Sequence, residues 1–358
     1  MSSTQFFDSL KTHYESELPF VAYCKPNAFE VIALLQKDDQ LHKVDDFSEN
    51  GFVFAPFDLR KDAILIPFSK SKTLKLNTEI LSHEEFEPIN TQSTDQKNDH
   101  ISLVKKAIEA ITHSEMEKVV LSRAEQIAIE NFDFLEAFIR LVNINNLAFV
   151  YCWYHPKVGL WIGATPETLF KVLEKQVFTM ALAGTQPYEG VLDVNWSQKE
   201  KDEQRLVRDY ILEQLKDKVE GIEISETQTI RAGSILHLRT DIKGNINQSY
   251  LGLKQLIYAL HPTPAVCGLP KLDAMQFIID HEDYNREFYT GFLGELNYES
   301  GDSEDRNSEL YVNLRCMQIK NDHILIYVGG GITAESIPEQ EWLETVNKSK
   351  TLKSVIAI

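Results

Sequence analysis

Short strand-like runs recur along this chain and long helical patterns interrupt them, a mixture that few architectures can bury. In the first part the runs are Phe20 to Cys24, Phe52 to Phe54 and Ala63 to Pro67, separated by charged, turn-rich segments. Later come Lys118 to Ser122, Ala148 to Tyr154 with Val158 to Gly163 around His155-Pro156, and Val177 to Ala183. Near the C-terminus, Leu310 to Ile319 and His323 to Val328 read as a hairpin turning at Asn321-Asp322. Helical spacing appears at Ile101 to Ile111, where Leu103, Val104, Ala107, Ile108 and Ile111 share a stripe. It appears again from about Phe134 to Asn143 and from Glu200 to Leu215. Hairpin-type strands mixed with long helices predict an α+β fold, with helices packed on large, mostly antiparallel sheets. The polar stretch Thr91 to Asp99 is the expected flexible connector, dividing residues 1–99 from residues 100–358 within one structural domain.

Composition narrows the function classes. A formal charge of −18 over 358 residues leaves no basic footprint for nucleic acid or an anionic membrane. It does not exclude an anionic small molecule, because a metal or a local basic cluster can reverse the field inside one cleft. Cys24, Cys152, Cys267 and Cys316 are scattered through apolar runs and form no CxxC pair, as expected of reduced core thiols. Met1 to Tyr14 has no apolar signal core, and the longest apolar run, Leu147 to Tyr154, is too short to span a bilayer. A cytoplasmic protein is therefore expected. No GxGxxG or P-loop pattern occurs, which argues against a dinucleotide or nucleotide site.

Chemistry-bearing residues concentrate toward the end. Tyr327 to Ile332 contains three consecutive glycines, read as a turn whose N–H groups approach a bound anion. Glu341, Glu344 and Lys348 follow at helical spacing and share a face. Paired carboxylates suit a hard cation such as Mg²⁺, although a solvated helix with one Glu344–Lys348 pair would look the same.

Further candidates lie upstream. Alternation puts Lys118, Val120 and Ser122 on one strand face, where desolvation would favour a neutral lysine suited to general-base work. The alternative is an ammonium that reaches water from a strand edge. Glu167 follows Thr165-Pro166, a sequence that fits the start of a short helix; its carboxyl is either a dipole partner or an acid. Glu203 borders the stripe of Leu206, Val207, Tyr210 and Ile211, where a carboxylate needs a partner or a metal. His237 alternates with leucines, and Arg315 is embedded in a strand and needs a carboxylate, internal or from a substrate. Leu260 to Lys271 is a proline-punctuated loop with Thr263 beside exposed amides.

The order of these motifs says more than any one of them. Lys-Val-Val-Leu-Ser-Arg at 118–123, Ala-Thr-Pro-Glu at 164–167, Leu-Ala-Gly-Thr at 182–185, Lys-x-x-x-Glu at 199–203 and His-Leu-x-Thr at 237–240 come first. His-Pro-Thr-Pro-Ala-Val-Cys-Gly at 261–268, Arg-x-x-Tyr-x-Gly at 286–291, Arg315, Gly-Gly-Gly-Ile and Glu-x-x-Glu-Thr-x-x-Lys complete the series. The chain resembles the chorismate-utilising enzymes, which include isochorismate, anthranilate, aminodeoxychorismate and salicylate synthases. The likeness runs from Lys118 to the C-terminus; residues 1–99 resemble the family only loosely.

That resemblance implies a large sandwich of two mostly antiparallel sheets with helices outside. It implies an isomerase of the isochorismate synthase type, since a lysine at position 118 is similar to the water-using members. Mg²⁺ would be held by Glu203, Glu341 and Glu344. Lys118 would take a proton from water attacking C2 of chorismate, and Glu167 would protonate the departing C4 hydroxyl. Arg315, Gly329, Gly330 and Lys348 would bind the substrate, Gly184 and Ala265 would make close backbone contacts, and Thr263, Tyr289 and His237 would line the ring pocket. At Gln204 the chain departs from many relatives, which place a histidine after the glutamate. No glutamine amidotransferase partner is expected, and a monomer is implied. A salicylate synthase, which also eliminates pyruvate, and an ammonia-using aminodeoxychorismate-type synthase are the neighbouring readings. A silent carboxylate-binding homologue is the reading outside enzymes, and either a menaquinone or a siderophore pathway is compatible.

Overall fold

The computed structural model describes residues 1–78, 94–130, 132–232, 235–246, 252–299 and 306–356. Its strands are β1 (Phe20–Cys24), β2 (Glu30–Gln36), β3 (His42–Lys43), β4 (Gly51–Ala55), β5 (Ile64–Pro67), β6 (Ser71–Asn77), β7 (Lys118–Ala128), β8 (Phe149–His155), β9 (Gly159–Thr165) and β10 (Thr168–Leu173). There follow β11 (Gln176–Pro187), β12 (Val219–Ile224), β13 (Gln228–Ala232), β14 (Ile235–Ile246), β15 (Gly268–Leu269), β16 (Phe292–Glu299), β17 (Arg306–Val312), β18 (Cys316–Ile319) and β19 (His323–Ile332). The helices are α1 (Ser3–Glu15), α2 (Thr94–Thr112), α3 (Phe134–Ile144), α4 (Gln198–Leu215), α5 (Leu253–Leu260), α6 (Lys271–His281) and α7 (Pro338–Lys353).

Two sheets result. One runs β15-β7-β19-β18-β9-β8-β1-β2-β6; the other runs β12-β14-β11-β10-β17-β16-β4-β5-β3, with β13 also paired to β14. Neighbouring strands pair antiparallel throughout, for example β7 with β19 and β11 with β14. The first 99 residues feed both sheets, through β1, β2 and β6 in one and β3, β4 and β5 in the other.

Alternation explains how the layers stack. In β1, Phe20, Ala22 and Cys24 join a cluster with Phe6 and Leu10 of α1 and Phe138 of α3. Val21 and Tyr23 point the other way, against Phe52 and Phe54 of β4. An aromatic layer of Phe149, Trp153, Trp161, Phe288 and Tyr311 fills the space between the sheets. On the second sheet's outer face, Val207, Ile211 and Leu215 of α4 pack on Val177, Ala181 and Ala183. Helices therefore lie outside and aromatics inside, giving the α+β sandwich expected from the sequence.

Four local expectations are corrected. The three glycines do not turn: Gly329, Gly330 and Gly331 lie inside β19, opposite Ser122, Leu121 and Val120. Their missing side chains leave room for buried charges, since a Cβ on Gly331 would fall 2.5 Å from Glu203 Oε1 and 2.8 Å from Lys118 Cε. Thr165 to Glu167 start no helix but join β9 to β10, with Thr165 Oγ1 accepting from Glu167 N at 3.3 Å. The run Leu310 to Ile319 is not one strand: β17 belongs to one sheet and β18 to the other. The chain crosses between them at Asn313-Leu314-Arg315, where Arg315 takes a φ of +46°. Asn313 pins the crossing by donating to Phe288 O at 2.9 Å and accepting from Tyr151 OH at 2.7 Å. Of the expected connector, residues 91–93 lie outside the described residues and the remainder is the first turns of α2.

Cys24, Cys152, Cys267 and Cys316 are all free and buried. Among the described residues no helix is long and apolar enough to cross a membrane.

Candidate active site

β7, β19 and α7 build one wall. Lys118 opens β7 and its side chain is fully buried, reaching Glu203 of α4 with Nζ 2.8 Å from Oε1. Val120, two residues along, lines the cavity between the two walls, while Val119 and Leu121 pack into a separate core with Val104 and Ala107. The alternation expected for this strand holds. Opposite, α7 is fixed by Arg123, which donates from Nε to Thr345 Oγ1 at 2.9 Å and stacks 4.4 Å from the Trp342 ring. That contact sets the rotation of α7, so Glu341, Glu344 and Lys348 face the glycines of β19.

Each acidic residue of the expected trio has its own lysine. Lys118 holds Glu203, Lys199 Nζ lies 2.7 Å from Glu341 Oε1, and Lys348 Nζ lies 2.6 Å from Glu344 Oε1. Lys348 also donates to Gly329 O at 2.9 Å. Burial raises the Glu203 carboxyl, but Lys118, with Lys348 and Lys199, outweighs it and the group ends below its ordinary value. Glu341 ends above its ordinary value: burial raises it, Glu344 raises it further, and Lys199 offsets only part. Two crowded carboxylates are a place for positive charge. Glu344 Oε1 and Glu341 Oε2 stand 3.4 and 3.6 Å from the point a Gly330 Cβ would occupy, so they flank a common space. Among the described residues no three ligating groups are already gathered as a metal cluster, and Glu203 is turned to Lys118.

The opposite wall comes from the second sheet. Glu167 is buried, and burial pushes its carboxyl up to about 8 against the pull of Lys118, Lys348 and Arg315. At neutral pH it holds a proton. His237 of β14 donates from Nδ1 to Gly184 O at 2.8 Å, which leaves Nε2 to accept from Arg315 Nη2 at 3.4 Å. Burial, with Arg315 and Lys348 nearby, pushes His237 down to about 3, so it is neutral and positions two neighbours. Gly184 has a φ of +74°, and a Cβ there would lie 3.1 Å from Glu200 Cβ, so glycine lets β11 pass under α4.

These groups enclose a cavity of about 70 Å³ lined by Glu167, Gly184, His237, Ala265, Tyr289, Arg315, Gly329, Gly330, Glu203, Glu344 and Lys348. Lys118 reaches its edge beside Gly331, and Glu341 borders it beside Gly330. Thr263 stands apart: it does not line the cavity, and its buried hydroxyl has no partner among the described residues. The sequence reading missed Val120, Leu182, Thr185, Thr290 and Gly331, which line the cavity, and Lys199, which holds Glu341. Lys199 was legible in principle, being one helical turn before Glu203 and on the same face.

A single buried guanidinium ties the walls together. Arg286 donates to Val120 O at 2.6 Å, Val266 O at 3.0 Å and Thr290 Oγ1 at 3.2 Å, and pairs with Glu282 through both Nε and Nη2. Val120, Val266 and Thr290 all line the cavity, so one side chain sets three of its walls. Gln204, at the departure from the family pattern, donates to Thr240 Oγ1 at 2.7 Å and so ties α4 to β14.

Comparison with known proteins places this geometry. The isochorismate synthase MenF of Escherichia coli is 32% identical over 267 residues, covering 71% of this chain and 59% of that protein. The vibriobactin-specific isochorismate synthase of Vibrio cholerae is 29% identical over 265 residues, covering 69% of this chain and 63% of that protein. The matched part thus spans about three fifths of these relatives' lengths. The solved structure of the menaquinone-specific isochorismate synthase of E. coli superposes with a TM-score of 0.77 at 23% identity, covering 94% of this chain and 88% of that one, and so shares the fold. The profile of the chorismate binding enzymes matches residues 60–357, which take in both walls of the cavity; the chain belongs to that family.

Proposed function

We propose that this chain is an isochorismate synthase, an isomerase that adds water at C2 of chorismate and expels the C4 hydroxyl. The observation that carries this reading is one cavity lined by the buried acid Glu167 with Arg315 and Lys348, and with the buried Lys118 against its Gly331 wall. The likeness to isochorismate synthases along most of the chain supports it.

The proposed roles follow from chemistry. Glu167, protonated at neutral pH, donates to the leaving hydroxyl. Lys118 takes the proton of the attacking water, a role that requires the free amine and therefore a Glu203 that turns away from it. Arg315, oriented by His237, and Lys348, anchored on Gly329 O, meet the substrate carboxylates. Gly329, Gly330 and Gly184 admit close backbone approach, Tyr289 and Ala265 shape the ring pocket, and Thr263 acts from outside through its carbonyl, which accepts from Val266 N at 3.1 Å.

Mg²⁺ is the cofactor this reading requires. Glu341 and Glu344 fit it, being crowded carboxylates flanking one space, and Glu203 would join them on leaving Lys118. Bound there, the ion would supply positive charge to a substrate carboxylate.

The test is to incubate the protein with chorismate and Mg²⁺, without ammonia, and separate the products. Isochorismate in equilibrium with chorismate and no pyruvate supports the reading. Salicylate with pyruvate moves the chain to the lyase branch, and chorismate that reacts only when ammonia is added moves it to the amine-transferring branch. Unchanged chorismate in every case removes the enzymatic reading.

A further inference from the structure

A second cavity, about 1040 Å³, lies between the sheets and shares Arg315 and Pro166 with the catalytic one. Strand alternation shows that the two adjoin along the same strand faces. On β11, Leu182 lines the catalytic cavity, and Met180 and Phe178, on the same face, line the large cleft. On β14, His237 lines the catalytic cavity, and Arg239, Asp241 and Lys243 on that face line the cleft. The two strands are paired Leu182 to Arg239, Met180 to Asp241 and Phe178 to Lys243, so both lead outward side by side.

The charge of this cleft is opposite to that of the protein. Lys171, Arg231, Arg239, Lys243 and Arg315 line it against two carboxylates, Glu223 and Asp241, in a chain with a net charge of −18. With Lys171 assigned to its partner Glu309, 2.7 Å away, the lining still carries a positive excess. The net charge of the chain repels an anion, whereas the cationic lining of this cleft attracts it. The cleft has the size of an ordinary small-molecule site and adjoins the smaller catalytic cavity.

We propose that the inter-sheet cleft is an electrostatic antechamber: it captures the dianionic substrate on the Arg231, Arg239 and Lys243 rim and passes it to Arg315 at the threshold of the catalytic cavity. This rests on the proposed activity toward a dicarboxylate. Arg231 is held in place by the Tyr188 ring, 4.0 Å away, and Arg239 by Asp241 at 2.7 Å, so the rim is preformed. Glu223 and Asp241 temper the field, which favours release inward over tight retention.

The experiment compares the wild type with Arg239→Gln/Lys243→Gln and with Asp241→Asn, all at exposed or half-buried positions where the fold tolerates change. Chorismate turnover is measured from low to high ionic strength. The double variant is expected to lose about three- to tenfold in kcat/KM at low salt, with the loss in kcat/KM and not in kcat, and with a flattened salt dependence. Asp241→Asn is expected to raise kcat/KM, a change that a structural role for this residue would not produce. Equal kcat/KM and equal salt slopes in all three proteins would overturn the antechamber. If the wild type does not turn chorismate over, the proposed activity fails separately. Chorismate binding by calorimetry over the same salt series then decides the antechamber by the same ordering of the three proteins.

Discussion

Glu167 and Glu309 sit two strands from each other at most, yet the protein treats them in opposite ways. Glu309 lies on β17 opposite Lys171 of β10, the strand that Glu167 immediately precedes. Burial raises Glu309, but Lys25 and Lys171 more than offset it and hold the group down to about 2. Tyr298 and Tyr311 donate to it as well, at 2.9 and 3.0 Å. Glu167 is as buried but keeps its cations at a distance, and burial holds it up to about 8. Burial is common to both; the number of donors in contact decides the charge. In the first place a saturated network clamps the two sheets, since Lys25 follows β1 of one sheet and also pairs with Glu295 on β16 of the other. In the second an unsaturated acid is left ready to give up its proton.

The largest expected effect tests the acid. Glu167→Gln is expected to lower chorismate turnover by about 10²- to 10⁴-fold, measured at saturating substrate. In the wild type, activity is expected to fall as pH rises through about 8, because the required form of Glu167 is the protonated one. Stability follows the same proton. The folded state binds it up to about 8 and the unfolded state only to the ordinary value of 4.5, so this group's contribution weakens as pH rises between them. Glu167→Gln is therefore expected to unfold later than the wild type at pH 8.5 and to lose that advantage near pH 5, as read by urea melts.

Removing the clamp should do the reverse. Glu309→Gln is expected to cost about 2 kcal/mol of stability at pH 7, because it leaves the half-buried Lys25 and Lys171 short of a partner, while kcat stays within a few-fold. The Glu309 value is depressed, so its contribution is full above 4.5 and is lost as pH falls toward about 2. Acid unfolding of the variant should lack that component. A Glu309→Gln protein as stable as the wild type at pH 7 would break the contrast.

Arg286→Lys keeps the charge but cannot span Val120, Val266 and Thr290 together. A loss of about 1–3 kcal/mol in stability is expected, with a fall in kcat larger than any rise in KM. The smallest effects separate two glycines. Gly331→Ala would drive into Lys118 and Glu203 and is expected to cut turnover about tenfold or more. Gly330→Ala, with no atom closer than 3.4 Å, should fold as stably as the wild type, but its Cβ would stand in the space that Glu341 and Glu344 flank, so more Mg²⁺ is expected to be needed for half-maximal turnover.

Much of this was legible because periodicity is local. The alternation that buries Lys118 beside Val120, the helical spacing of Glu341, Glu344 and Lys348, and the free core cysteines needed no tertiary contacts to anticipate. The motif order pointed to the family and to many of the residues that line the cavity, among them Glu167, Glu203, His237 and Arg315. The misread segments share one cause: their conformation is set by partners remote in sequence. Three glycines look like a turn until β7 pairs with them, and Leu310 to Ile319 looks like one strand until Asn313 is held by Tyr151 and Phe288.

The sequence by itself determined the residue types, their faces and the α+β class, because these follow from side-chain period and apolar pattern. Only the tertiary structure decided which lysine answers which glutamate, since Lys118 and Glu203, Lys199 and Glu341, and Lys25 and Glu309 meet across long stretches of chain. Charge state follows from those meetings. Ionisation of a buried group depends on the donors that fold around it, and no linear pattern carries that information.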